Sequence, residues 1–139
     1  MDELIRLLHD GGYSCVIRKG EIRPFTQRGV AYLYDLLNQE PAFLHEAQIA
    51  DKVIGKAAAA LMVLGEVREI YTDIISEPAW ALLQQAKIKV ECAQVVPRIR
   101  NRARTGWCPL ETLCYELKSP EAMYPVIRDF VEKMRSCRN

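Results

Sequence analysis

The apolar residues of this chain follow two alternating spacings. Spacings of three and four residues predict a helix at the start, which Gly11 and Gly12 end, and further helices over residues 29–38, 57–64, 78–86 and 109–117 and from Ser119 onwards. Short apolar and β-branched runs predict strands over residues 13–18, 21–25, 47–54, 67–76 and 88–96. The order of these elements predicts an α/β protein.

The first two strands are predicted to form a hairpin, because only Lys19 and Gly20 separate them. Pro24 has no backbone N–H to donate, so the second strand should end there or lie at a sheet edge. A helix separates each pair of later strands, which favours parallel crossovers. These features predict a three-layer α-β-α fold with a mixed central sheet of about five strands, built as a single domain over residues 1–139.

Composition narrows the class of protein. Half of the residues are hydrophobic and 27% are charged, which is typical of globular domains. The net charge of +1 provides no overall field for nucleic acid or membranes, so we expect neither partner. The start is acidic and unlike a signal peptide, no apolar run is long enough to span a membrane, and the five cysteines are irregularly spaced. We expect a soluble, reduced, cytoplasmic protein.

The stretch over residues 47–65 passes from a buried strand through Gly55 and Lys56 into a helix of small residues. A helix N-terminus offers free N–H groups and the positive end of the helix dipole, which suit a phosphate or carboxylate. Glycine would allow close approach and lysine would add charge. The alternative, which we weigh equally, is a tight join with a solvated lysine. The alanines at residues 57–60 predict close packing of the helix on the sheet.

Two charged residues, Asp51 and Lys52, interrupt the strand before Gly55. Neighbouring strand residues face opposite sides, so one charge should reach the ligand pocket while the other meets a partner on the opposite face. Val53 and Ile54 indicate a central strand, and a charge inside such a strand needs a partner or a function. We therefore favour a functional role over simple solvation.

Cys108 and Glu111 are the candidate catalytic residues. Pro109 fits a first helical position, which places Cys108 at the N-cap, where the dipole favours a thiolate. Cys108 would act as a nucleophile or ligand contact and Glu111 as an acid-base group. The alternative is a plain helix start in which Glu111, at the capping-box position, accepts from the Cys108 backbone N–H. No histidine is near in sequence, so we favour ligand contact over catalysis.

The polar segment before Cys108 contains alternating arginines: Arg98, Arg100, Arg102 and Arg104. They form either an anion-binding edge or a solvated loop. Trp107 is the better candidate for a pocket wall, whereas Trp80 is expected in the core. The remaining cysteines are interpreted as small core residues, apart from a surface thiol at Cys137.

The strings DKVIGKAAAALMV and RTGWCPLETL resemble a family of uncharacterised bacterial proteins, the domain of unknown function numbered 1893. That resemblance implies a cytidine deaminase-like fold. Deaminases of this fold hold Zn²⁺ with His or Cys and two further Cys, and use a Glu as proton shuttle. This chain has Gly55-Lys56-Ala57-Ala58 where the first motif would open a helix, and it has no C-x-x-C. We therefore expect no metal and no other cofactor.

These residues predict binding of a small anionic or nucleotide-like ligand in a zinc-free deaminase-like fold. The expected contacts are Asp51, Lys52, Gly55, Lys56, Arg102, Gly106, Trp107 and Cys108. Enzymatic activity is left open. One alternative is a metal-free enzyme with Cys108 as nucleophile. The other is a structural or interaction protein with a decayed site, for which a homo-oligomer would be the natural form.

Overall fold

One mixed sheet organises the chain. The structure, a computed structural model, describes residues 1–27, 29–99 and 108–136. The strands of this described part are β1 (Cys15–Lys19), β2 (Glu21–Phe25), β3 (Gln48–Ile54), β4 (Glu69–Ser76) and β5 (Lys89–Val96). The helices are α1 (Asp2–Asp10), α2 (Ala31–Gln39), α3 (Pro41–Leu44), α4 (Lys56–Leu64), α5 (Glu77–Gln85), α6 (Pro109–Cys114) and α7 (Pro120–Ser136).

The strands pair in the order β2-β1-β3-β4-β5. β1 pairs antiparallel with both β2 and β3, whereas β3, β4 and β5 run parallel. The predicted hairpin, the mixed sheet of five strands and the edge position of Pro24 are confirmed. The hairpin turn is tighter than predicted, because Lys19 pairs with Glu21 and leaves only Gly20, at φ 75°, at the tip. Glycine adopts this positive φ without steric cost.

Helices cover both faces of the sheet, as predicted. α1 lies alone on one face, where Leu4 and Leu8 pack on Val16 and Ala50. The opposite face carries the larger core, formed with α2, α4 and α5, and α6 and α7 pack against α4 from outside. None of the described helices combines the length and the apolar character that a membrane span requires.

α4 is the central helix of the larger core. Every residue from Lys56 to Met62 is buried, because the sheet, α2, α5, α6 and α7 surround the helix. A helix that is apolar on all sides is typical of such a position. Small alanine side chains keep these neighbours close, so the packing role predicted for residues 57–60 is confirmed.

Several local features differ from the sequence-based expectation. Pro41 begins the short helix α3, an element that the apolar spacing did not predict. Trp80 was expected in the core but is 42% exposed, because it lies on the outer side of α5. β3 is the central strand, as Val53 and Ile54 indicated, although Val53 itself is 44% exposed near the end of the strand. Ser76 is the N-cap of α5, and its hydroxyl accepts from the Ala79 N–H at 3.3 Å.

Candidate functional site

The predicted join between strand and helix is present where β3 ends and α4 begins. Gly55 is the N-cap of α4, with φ −97° and ψ 179°. The join lies at the carboxyl end of the parallel strands, the usual position of ligand sites in α/β proteins.

The carboxylate of Glu111 occupies the N-terminus of α4. Its Oε2 accepts from the Lys56 backbone N–H at 2.5 Å, and the residue is only 2% exposed. A negative group at this end of a helix is favoured by the free N–H groups and the helix dipole. The protein thus places its own negative group at the position where the sequence predicts an anionic ligand.

Gly55 is needed for space rather than for an unusual backbone angle. A Cβ at this position would lie 2.7 Å from Glu111 Oε2 and 3.4 Å from Ile99 Cγ1. Its φ is open to any residue, so conformational freedom is not the reason for glycine. The glycine allows the Glu111 carboxylate to approach the start of α4.

Lys56 is buried, and its side chain forms a second connection between α4 and α6. Its Nζ donates to the backbone oxygens of Tyr115 at 2.8 Å and Leu117 at 2.5 Å, just beyond the end of α6. Burial lowers the pKa of Lys56. The side chain is 9% exposed, so the alternative of a solvated lysine is wrong. A cation beside the last carbonyls of a helix is electrostatically favourable.

One oxygen of this junction has no hydrogen-bond partner in the part of the chain that the structure describes. Glu111 Oε1 is buried and accepts no hydrogen bond from any residue that the structure describes. Most buried polar atoms in folded proteins are hydrogen-bonded, so such an atom requires an explanation. At this junction, the Glu111 carboxylate is therefore the group that can accept one more hydrogen bond.

Cys108 lies at the N-cap of α6, as predicted, and is partly exposed. The predicted capping box is absent: the Cys108 N–H donates to Ile99 O at 2.8 Å, and Glu111 binds Lys56 instead. Arg98 extends to the same helix, with a donated bond to Thr112 Oγ1 at 3.1 Å. The other candidates of this segment, Arg100, Arg102, Arg104, Gly106 and Trp107, lie outside the described residues, as does Cys137.

Asp51 belongs to a second buried group, which we call the Asp51 cluster (Asp51, Tyr32 and Cys15). The Tyr32 hydroxyl donates to Asp51 Oδ2 at 3.0 Å, and the Val53 N–H donates to Oδ1 at 3.3 Å. Cys15 is the cross-strand neighbour of Asp51, and its thiol interacts electrostatically with both other members. Burial raises the pKa of Asp51 to about 7, although hydrogen bonds from Tyr32 and Val53 act in the opposite direction.

The predicted site residues therefore fall into two separate groups. Gly55, Lys56 and Glu111 meet at the α4–α6 junction, with Cys108 at the start of α6. Asp51 is hydrogen-bonded within the sheet and to α2, while Lys52 beside it is partly exposed. Asp51 is therefore the charge that is buried with a partner, Tyr32, while the prediction that the other charge reaches a ligand pocket stays a prediction.

No local sequence pattern indicated that Tyr32 and Cys15 would join Asp51. Pairing register places four residues of one row on neighbouring strands: Cys15, Asp51, Thr72 and Cys92. Each of these strands carries a polar or small residue among apolar ones. Only the pairing register shows that these residues lie side by side. Among the described residues, no three His, Cys, Asp or Glu side chains lie together as metal ligands would.

Cavities occur away from the α4–α6 junction. A cavity of about 670 Å³ lies between α6 and α7 and is lined by Leu113, Val126, Asp129, Phe130, Lys133 and Met134. A second, of about 270 Å³, lies near α3 and the end of α4. At the junction, Glu111 and Ile99 fill the space in front of Gly55. A ligand of Glu111 therefore requires a local movement of these side chains.

Comparison with known proteins identifies the family. A family model for the domain of unknown function DUF1893 (TM1506) matches residues 3–131. The chain belongs to the DUF1893 family. A DUF1893 family protein (TM1506) from Thermotoga maritima has a similar crystal structure, with a TM-score of 0.82, 20% sequence identity and coverage of 93% of this chain and 90% of that chain. No curated protein matches this DUF1893 chain.

The crystal structure of the Thermotoga maritima protein supports the α/β fold of this DUF1893 chain. At 20% identity the likeness concerns the fold alone. The family membership expected from the strings around Gly55 and Cys108 is confirmed. The family description supplies no activity, so the function is argued from the geometry of the α4–α6 junction.

Proposed function

We propose that this DUF1893 chain is a zinc-free domain of the cytidine deaminase-like type that binds a small nucleotide-like ligand at the α4–α6 junction. The hairpin, the following strand-helix crossovers and the position of Gly55 at the end of β3 support this fold type. The junction lies where α/β proteins usually bind ligands. Gly55, Lys56, Glu111 and Cys108 are the proposed contacts among the described residues.

The unpartnered Oε1 of Glu111 carries the proposal. The Lys56 N–H holds the other oxygen, so the carboxylate is fixed while one acceptor remains unused. Leaving such a buried acceptor unpaired costs about 1–3 kcal/mol, which a ligand with a matching donor would recover. An N–H or O–H of a nucleoside base or sugar provides that donor.

The charge of the junction determines which part of the ligand meets Glu111. A phosphate placed beside this carboxylate would experience repulsion in a poorly hydrated environment. The neutral donor edge of the ligand therefore lies at Glu111, and any anionic group lies further out, towards the side of Arg98. Lys52 stays a proposed contact, as do Arg102, Gly106 and Trp107, which lie outside the described residues. Asp51 is assigned to its own cluster.

Calorimetric titration and thermal shift with nucleosides, nucleoside monophosphates and inorganic phosphate test the proposal. We expect at least one nucleoside to bind to the wild type. Glu111→Gln should weaken that binding by a factor of about 10–100, because a charge-assisted hydrogen bond contributes about 1.5–3 kcal/mol. Glu116→Gln, at an exposed position just after α6, is the matched control and should bind like the wild type.

Three outcomes contradict the proposal in different ways. If inorganic phosphate bound as tightly as the nucleosides and their monophosphates, the site would be a simple anion pocket. Equal binding by Glu111→Gln and wild type would place the ligand elsewhere. Absence of binding across the panel would favour an interaction protein or an enzyme that uses Cys108. No described side chain hydrogen-bonds the Cys108 thiol, so its activation has no geometric support within residues 1–27, 29–99 and 108–136.

A further inference from the structure

The Asp51 cluster lies between the sheet and α2, apart from the α4–α6 junction. Asp51 is 5% exposed, Cys15 is fully buried and Tyr32 is buried. Tyr32 belongs to α2 and also stacks on Phe25 of β2, with ring centroids 5.1 Å apart. Tyr32 thus provides a polar contact that joins α2 to the middle of β3.

The described residues around Asp51 provide hydrogen-bond donors and no ion-pair partner. β1 contributes the Cys15 thiol and α2 the Tyr32 hydroxyl, while Thr72 of β4 lies opposite Asp51 and donates to Ile74 O instead. None of the ion pairs formed between described residues involves Asp51. A buried carboxyl without a cation favours its neutral form, because the charged form loses hydration.

Ionisation of Asp51 would therefore favour states in which water reaches the carboxylate. Cys15 and Asp51 lie on hydrogen-bonded strands in the middle of the sheet, which resist separation. α2 is one nine-residue element that packs on α4 and is bonded to α7 through Asp35 and Asn38, so it can open locally when these contacts break. We propose that the Asp51 cluster is a proton-dependent latch: α2 stays closed over the neutral carboxyl, to which Tyr32 donates, and loss of the proton releases α2 because the carboxylate gains hydration in the open state.

The direction of the effect follows from linkage. When α2 opens, Asp51 is hydrated and its pKa returns towards the ordinary value of 3.8, below the value of about 7 in the closed state. Between about pH 4 and pH 7, Asp51 is ionised in the open state but protonated in the closed state. Opening therefore becomes about tenfold more favourable for each rise of one pH unit. Above about pH 7 both states are ionised and the dependence levels off.

Amide hydrogen exchange measured from pH 5 to pH 8.5, corrected for the intrinsic exchange rate, tests the latch. The protection of α2 in the wild type should fall by about tenfold per pH unit up to about pH 6.5 and become constant above pH 7.5. Asp51→Asn should remove this dependence. Asp10→Asn, at an exposed position at the end of α1, should keep it.

α5 is the internal reference, because its main packing partners are α4, β4 and β5, whereas α7 is bonded to α2. Equal pH dependence in α2 and α5 would mean global unfolding and would overturn the local latch. Unchanged α2 protection across the pH range, or the same dependence in Asp51→Asn, would overturn it as well. Tyr32→Phe keeps the ring on Phe25 but removes the hydroxyl, so α2 should exchange faster than in the wild type at pH 5.

Discussion

Gly55→Ala tests whether the α4–α6 junction depends on the close approach of Glu111. The added Cβ would lie 2.7 Å from Glu111 Oε2, which is too short for a non-bonded contact. The carboxylate must move away and lose its bond to the Lys56 N–H. A hydrogen bond to a charged group contributes about 1.5–3 kcal/mol, and alanine is a poorer N-cap than glycine by about 0.5–1 kcal/mol. We expect the free energy of unfolding to fall by about 2–4 kcal/mol.

Urea unfolding of a double-mutant cycle separates these two contributions. In the Glu111→Ala background the clash and the hydrogen bond are both absent, so Gly55→Ala should cost only the cap difference of about 0.5–1 kcal/mol. The coupling energy between the two positions should be about 1.5–3 kcal/mol. An equal loss in both backgrounds, or a loss below about 1 kcal/mol in the wild type, would refute the role of Gly55 as a space for Glu111.

Three further predictions concern stability. Because the pKa of Asp51 is raised from 3.8 to about 7, the wild type should lose up to about 4 kcal/mol between pH 4 and pH 7, and urea unfolding of Asp51→Asn should lack this loss. Lys56→Met should cost about 2–4 kcal/mol through two lost hydrogen bonds, whereas Lys118→Met, at an exposed position, should be near neutral in the same assay. Ser76→Ala should cost about 1 kcal/mol by thermal unfolding, and no loss would contradict its capping role.

The fold was predictable because its signals are local. Two residues between the first two strands determine a hairpin, Pro24 excludes a central position for the second strand, and Ser76 before Pro78 indicates a helix start. The alanines after Gly55 indicate tight packing whichever elements surround them. Each of these inferences uses neighbouring residues and the restrictions on their backbones, so no knowledge of tertiary contacts is required.

The candidate site was only partly predictable because its contacts are distant in sequence. Gly55 and Glu111 were both selected, but the bond between Lys56 and Glu111 spans 55 residues and depends on how α6 docks. Spacing instead suggested a local capping box with Cys108, which is wrong. Tyr32 was missed because its partner, Asp51, is defined only by strand register and by the position of α2. The exposure of Trp80 was missed for a similar reason, because it depends on which side of α5 packs against the core.

The central helix has a consequence for how this chain folds. α4 has nine residues, which is too short for a stable helix in water by itself. Its neighbours come from both sides in sequence: α2 precedes it, while α6 and α7 follow after two further strand regions. Native packing around α4 must therefore wait until α7 has been synthesised. A ribosome-bound chain that ends before Pro120 should remain open to proteases around residues 56–64, and release of the full chain should close this region in a single cooperative step.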